Sequence, residues 1–121
     1  MVQVRYIVDD VQASVDFYVS MLGFEFDQNF APAMAILKRG DLTLWVAGPQ
    51  ASATKPMPDG TQPIPGGWNR FVLVFDDLEA HAAKIRAEGV TVKNEILSGP
   101  GGKHILCVDP SGNVIELFQP A

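Results

Sequence analysis

The chain has 121 residues, 47% of them hydrophobic, and its nine lysines and arginines against fourteen aspartates and glutamates give a net charge of −5. A chain of this length buries enough apolar surface for one domain with its own core, so composition excludes intrinsic disorder. The acidic balance and the scattered cations also argue against a nucleic-acid partner, because phosphate binding needs a basic patch.

The sequence also bounds location and redox chemistry. No apolar stretch approaches the ~20 residues that cross a bilayer, and the start lacks the basic-then-apolar order of a signal peptide. Cys107 is the single cysteine, so it forms no internal disulfide, and no Cys/His cluster has zinc spacing. We therefore expect a cytoplasmic protein with no membrane partner.

The chain reads as two copies of one unit. Residues 7–11 (IVDDV) and 74–78 (VFDDL) each place the end of an apolar strand before two aspartates. Apolar residues at helical spacing follow each copy and end at Gly23 or Gly89, since glycine readily takes the left-handed cap conformation. Each half therefore begins with a strand and a helix.

Each predicted helix has a plausible N-cap. Asp9 with Gln12, and Asp76 with Glu79, have the spacing of a capping box, in which two side chains bond reciprocally to the backbone of the first turn. The sequence thus predicts Asp9 and Asp76 as the capping residues.

Three strands are predicted after each helix. An extended stretch, 24–29 or 90–97, precedes a hairpin whose turn contains glycine beside Asp or Asn, at 39–41 or 110–113. The order strand, helix, strand, strand, strand defines an α+β fold with one helix on one sheet face. We place module one at 1–47 and module two at 68–121.

The segment 48–67 between the modules is rich in proline and glycine and has no apolar periodicity. It should run over the surface as a loop. Its role is either a plain connector or a lid over a pocket, because a structureless loop of about 20 residues is uncommon in a compact domain and often functional.

Alternation along the first strand of each module assigns the faces. Apolar residues face the helix and leave Gln3 and Arg5 on the other side in module one, and Arg70 and Val72 in module two. A face that mixes apolar and polar residues is either solvated or lines a concave site for a small molecule.

A lone carboxylate, Glu116, stands among apolar residues in the last strand. We expect it to share the far face with Phe118, and we identify Leu44 as its counterpart in module one. A buried carboxylate needs a partner, for which Arg70 and Arg5 are the candidates. The alternative is an exposed glutamate on an ordinary strand.

Three motifs carry a family resemblance: Asp-Asp-Val at 9–11, the sequence FYVSMLGF at 17–24, and DPSGNVIELF at 109–118. The chain resembles the vicinal oxygen chelate superfamily of glyoxalase, bleomycin-resistance and ring-cleaving dioxygenase proteins. The resemblance implies two βαβββ modules in a single domain, forming an open, cleft-containing, β-barrel-like sheet with the helices on its outer face. It also implies a homodimer.

The resemblance further implies where a metal would bind. Metal-dependent members carry His, Gln or Glu ligands on the first and last strands, at positions that match Gln3, Leu44, Arg70 and Glu116 here. Leu44 has no donor atom, and the guanidinium of Arg70 keeps its positive charge at all relevant pH values. We therefore expect no metal and no other cofactor.

The remaining candidates are aromatic. His104 begins a strand and could point into the cleft as a hydrogen-bonding or acid/base group, whereas His81 is expected to be solvated. Trp68 and Trp45 could stack on a planar ligand, although Trp45 is also a core candidate.

These observations predict a metal-free protein that binds a small molecule and sequesters a drug or toxic metabolite. The alternative is an enzyme of the same fold: a metal-dependent lyase, isomerase or dioxygenase with atypical ligands, or a metal-free catalyst using Glu116 or His104. The sequence leaves the charge of the ligand open. The predicted ligand-binding residues are Gln3, Arg5, Leu44, Trp68, Arg70, Val72, His104, Glu116 and Phe118.

Overall fold

The computed structural model describes residues 2–121 and divides into two units, Met1–Gly66 and Gly67–Ala121. Each unit contains one α-helix packed on a four-stranded mixed sheet, in the order βαβββ. The predicted α+β fold is confirmed. Neither helix in the described chain is both long enough and apolar enough to span a membrane.

The first unit has the strand order β1-β4-β3-β2, with β1 parallel to β4 and the other neighbours antiparallel. The second unit repeats this topology as β5-β8-β7-β6, with β5 parallel to β8. The elements of the first unit are β1 (Val2–Ile7), α1 (Val11–Leu22), β2 (Glu25–Phe30), β3 (Met34–Arg39) and β4 (Leu42–Ala47). Those of the second are β5 (Val72–Val74), α2 (Leu78–Ala87), β6 (Leu97–Gly99), β7 (Gly102–Val108) and β8 (Val114–Pro120).

Both helices begin at an aspartate one residue later than predicted. The side chain of Asp10 accepts a hydrogen bond from the backbone N–H of Ala13 at 3.0 Å and caps α1. Asp77 caps α2 in the same way, through Ala80 at 3.1 Å. Each cap satisfies one of the first N–H groups of its helix, which have no partner within the helix.

The predicted caps, Asp9 and Asp76, are wrong because strand pairing continues further than the sequence pattern indicates. The N–H of Val8 still donates to the carbonyl of Ala47 at 2.9 Å, and Phe75 repeats this bond in the second unit. The chain therefore reaches the helix one residue later.

The segment 90–97 was predicted as extended, but regular pairing in β6 begins only at Leu97. Before it, Val92 forms one isolated bridge with Cys107. The reason lies at Asn94, whose side-chain oxygen accepts the hydrogen bond from the N–H of Leu106 at 3.0 Å. A short polar side chain thus replaces the backbone acceptor that a regular strand would offer.

Each helix buries an apolar stripe against its own sheet. In the first unit Tyr18 is fully buried and its ring meets that of Phe24 edge to face, with centroids 5.3 Å apart. Burying a large apolar side chain contributes roughly 1.5–3 kcal/mol. The other fully buried large side chains are Val8, Leu22, Leu37, Leu44 and Val46 in the first unit, and Leu78, Ile85, Ile105, Val114, Ile115 and Leu117 in the second.

The proline-rich segment is fastened to the first unit. The buried hydroxyl of Thr54 donates to the carbonyls of Gly48 and Ala51 at 2.8 and 2.9 Å. The amide of Gln62 in turn donates to the carbonyl of Thr54 at 2.6 Å. The segment therefore folds back on its own short 3₁₀ turn, Ser52–Thr54, and residues up to Gly66 belong to the first unit.

The hairpin between β7 and β8 is organised by one buried carboxylate. Asp109 is 3% exposed, and its Oδ1 accepts from the backbone N–H groups of Ser111 and Asn113 at 2.9 and 3.0 Å. Its Oδ2 accepts from the side-chain amide of Asn113 at 3.0 Å. Gly112 completes the turn at a φ of +87°, which glycine adopts without a Cβ clash.

We expect Asp109→Ala to lower the free energy of unfolding by about 2–3 kcal/mol, because buried donors lose their acceptor. Asp59→Ala is the matched control: this exposed aspartate makes one similar bond, to the N–H of Thr61 at 2.9 Å. We expect the control to lose much less stability, because Asp59 is exposed and water replaces the lost acceptor. Urea unfolding measures both, and equal losses would contradict this account of the hairpin.

A second prediction concerns Cys107, which is fully buried on β7. Burial, and to a smaller extent the charge of Asp109, raises the pKa of the Cys107 thiol to about 12. Because the thiolate is the reactive form, we expect no reaction with Ellman's reagent at pH 8 in the native protein and one equivalent after denaturation. Rapid labelling of the folded chain would show that Cys107 is not enclosed.

Candidate functional site

The candidate site lies on the open face of each sheet, by which we mean the face opposite the helix. In both units the candidate residues lie on the first and last strands, which run parallel to each other. The register places Arg5 opposite Trp45 in the first unit and Val72 opposite Glu116 in the second. Trp45 is therefore the structural counterpart of Glu116.

Leu44 was predicted at that position, and the structure corrects its placement. Leu44 lies opposite Val4, is completely buried and faces α1. The prediction failed because leucine, tryptophan and valine all suit a buried strand, so alternation in β4 does not reveal its faces. Trp45 comes five residues after Gly40, whereas Glu116 comes four residues after Gly112. Aligning the two glycine turns therefore matches Glu116 with Leu44 instead of Trp45.

Three side chains form a cluster on the open face of the first unit. The indole N–H of Trp45 donates to Oε1 of Gln3. The guanidinium of Arg5 lies over the indole ring, 4.8 Å from its centroid, within the range of a cation–π contact. With Val4 these residues line a small cavity of about 130 Å³. The cluster holds the indole in one orientation.

An ion pair takes the equivalent place in the second unit. Nε and Nη2 of Arg70 both donate to Oε1 of Glu116, at 3.0 and 2.8 Å. The remaining nitrogen, Nη1, donates to the carbonyl of Trp68 at 3.4 Å. The side chains of Arg70 and Glu116 are only 30% and 16% exposed. Of the two arginines predicted as partners for Glu116, the structure selects Arg70.

The two units thus carry equivalent cross-strand pairs with different chemistry. Arg5 and Val72 lie directly opposite the last-strand residues Trp45 and Glu116. In each unit the residue two positions earlier bonds to that last-strand residue: Gln3 to Trp45, and Arg70 to Glu116. The first pair is neutral and the second is ionic.

Apolar and aromatic groups surround the ion pair. Across the sheet, Glu116 lies between Val72 on β5 and Leu106 on β7. In the next row, Phe118 lies between Val74 and His104. His104 therefore shares the open face with Glu116.

Trp68 is 66% exposed, and the ammonium of Lys93 lies 4.9 Å from its ring centroid. The hydrogen bond from Arg70 ends on the backbone carbonyl of Trp68 and does not involve the indole. His81 was expected to be solvated, and this was wrong: its ring is half-buried and stacks on Phe75, with centroids 4.2 Å apart.

The four positions at which the resemblance implies metal ligands can be tested against the side chains present. Trp45 offers a donor N–H and no lone pair, and Arg70 offers only donors and a positive charge. Gln3 and Glu116 have suitable oxygens, but each has one engaged within its own pair. Among residues 2–121, no three His, Cys, Asp or Glu side chains are grouped as a metal ion would need. These residues do not fit the usual site.

Comparison with known proteins identifies the family. The profile of the Glyoxalase/Bleomycin resistance protein/Dioxygenase superfamily matches residues 1–117, and the chain belongs to this superfamily. The CFP32 protein of Mycobacterium tuberculosis is 30% identical in a 118-residue alignment, and the match covers 91% of this chain. The chain spans only 41% of the length of that curated relative.

Two solved structures illustrate the range within the fold. TnmS3, an antibiotic binding protein from Streptomyces sp. CB03234, is 28% identical with a TM-score of 0.68, and the match covers 97% of this chain and 93% of that one. A lactoylglutathione lyase from Agrobacterium tumefaciens is 22% identical with a TM-score of 0.76, over 98% and 92% of the two chains. The second likeness concerns the fold alone.

We expect Glu116→Gln to lower the free energy of unfolding by about 1–2 kcal/mol, since it leaves the guanidinium of Arg70, whose side chain is 30% exposed, without its counter-charge. Glu95→Gln is the matched control, because Glu95 pairs with Arg86 at 3.2 Å but its side chain is 86% exposed. That exposed pair should contribute less than about 0.5 kcal/mol. Urea unfolding at low salt compares the variants, because urea does not screen charges, and equal losses would show that the inner pair is no more important than the surface pair.

Proposed function

We propose that this protein binds a small organic molecule without the help of a metal ion. The observation that carries the proposal is the Arg70–Glu116 pair, which engages one carboxylate oxygen of Glu116 and places a positive charge beside the group that would otherwise be the best metal ligand on this face. A divalent ion at Glu116 would stand beside the guanidinium of Arg70 and be repelled by it.

The surface around the pair supports binding of an organic ligand. Small-molecule sites are mostly apolar with a few polar groups that orient the ligand. The open face of the second unit has this composition: Val72 and Val74 are 48% and 54% exposed, and Phe118 lies beside the polar pair. Exposed valines on a strand are surface that a ligand would remove from water.

The likeness to TnmS3 supports the same reading, since that protein is described as an antibiotic binding protein. We propose that sequestration of a drug or toxic metabolite is the role here, in the cytoplasm and as a homodimer. An enzyme of the same fold is the competing function, and it would need either metal ligands of an unusual kind or acid/base chemistry by Glu116 or His104.

Elemental analysis of protein purified without a chelator tests the metal-free part of the proposal. We expect far less than one equivalent of Zn, Ni, Fe or Mn per chain, for both the wild type and Glu116→Gln. One equivalent in the wild type that is lost in Glu116→Gln, but kept in Glu95→Gln, would overturn the proposal and favour the enzyme.

Thermal unfolding with a panel of planar drugs and metabolites tests the binding part. A ligand that binds only the folded chain stabilises it by RT ln(1 + c/Kd), where c is the free ligand concentration, so the melting temperature rises with ligand concentration. We expect at least one compound to raise it with this logarithmic dependence on concentration. A panel without any such compound would count against a binding function.

A further inference from the structure

We propose that the ligand of the second unit is an uncharged aromatic molecule that carries a hydroxyl or amine N–H, and that it donates this hydrogen to Oε2 of Glu116. This inference rests on the proposed binding function and names the ligand class that the same site would take. It also answers the question of ligand charge that the sequence leaves open.

The two carboxylate oxygens of Glu116 differ in their partners. Both hydrogen bonds from Arg70 end on Oε1, and Oε2 accepts none from the residues that the structure describes. The side chain of Glu116 is only 16% exposed. Oε2 is not one of the fully buried, unpartnered side-chain atoms of the described residues, so it keeps contact with solvent. Oε2 is therefore an available acceptor, reachable from the open face.

The charge of the Arg70–Glu116 pair favours an uncharged ligand. Arg70 neutralises Glu116 at 2.8 Å, so the pair offers no net charge to attract an ion of either sign. An anionic ligand would meet the lone pairs of Oε2, and three of the five N–H groups of Arg70 are already directed at Oε1 and at the carbonyl of Trp68. A neutral ligand with a donor avoids this repulsion and gains a charge-assisted hydrogen bond.

The spacing of side chains on β8 suits an aromatic ligand. Glu116 and Phe118 are two residues apart on β8 and point to the same face, which separates them by roughly 6–7 Å. This distance is close to the width of a fused or substituted aromatic ring. A ring placed over Phe118, between Val74 and His104, can thus reach Oε2 with a substituent at its edge.

The test uses three compounds of one size: 2-naphthol, which has the donor; 2-methoxynaphthalene, which lacks it; and 2-naphthoate, which carries a negative charge. Binding is followed by titration of backbone amide shifts in ¹H–¹⁵N spectra, which also locates the compound. We expect 2-naphthol to shift residues of β5 and β8 and to bind about tenfold more tightly than the other two, as a hydrogen bond to a charged acceptor implies.

The variant Arg70→Leu/Glu116→Leu removes the acceptor without leaving an unpaired cation, so the fold should persist. In it, 2-naphthol and 2-methoxynaphthalene should bind equally well. The control Arg86→Leu/Glu95→Leu removes the exposed ion pair of the same unit and should keep the tenfold preference.

The outcomes separate the two proposals. Equal binding of 2-naphthol and 2-methoxynaphthalene to the wild type at β5 and β8 would overturn the donor inference and leave small-molecule binding standing. Tighter binding of 2-naphthoate would overturn it in favour of an anionic ligand. Absence of binding by all three at β5 and β8 would overturn the donor inference, and a silent drug panel in addition would overturn the proposed function itself.

Discussion

The parallel pairing of the first and last strands in each unit is the constraint from which the candidate site follows. Once β1 lies beside β4 and β5 beside β8, a residue near the start of the chain or of the second module stands next to one more than 40 positions later. The pairs Gln3–Trp45 and Arg70–Glu116 exist only because of this geometry. Their partners are too distant in the sequence for any local pattern to join them.

The two pairs show how a repeated scaffold separates stability from chemistry. Similar apolar residues cover the helix-facing side of each sheet, so the helix packs on the sheet in the same way in both units. The open face is free of that demand. It holds an indole, an amide and the guanidinium of Arg5 in one unit and an ion pair in the other, so the two open faces differ in charge.

The ion pair also limits what the second unit can do. A partly buried charge pair is weak support for stability, because desolvation offsets much of the attraction. Its value here is positional: Arg70 fixes one carboxylate oxygen of Glu116 and leaves the other directed at an apolar face. An acceptor held in this way discriminates between ligands by their donors more than by their charge.

The sequence by itself determined the two βαβββ units, their helices, their glycine-containing turns and the superfamily, because these depend on local periodicity and on short motifs. It also put Arg70 forward as a partner for Glu116, since a carboxylate among apolar residues requires one. Strand register was decided only by the tertiary structure. Register depends on backbone pairing between distant segments, and for that reason it replaced Leu44 by Trp45 on the open face and moved both helix caps by one residue.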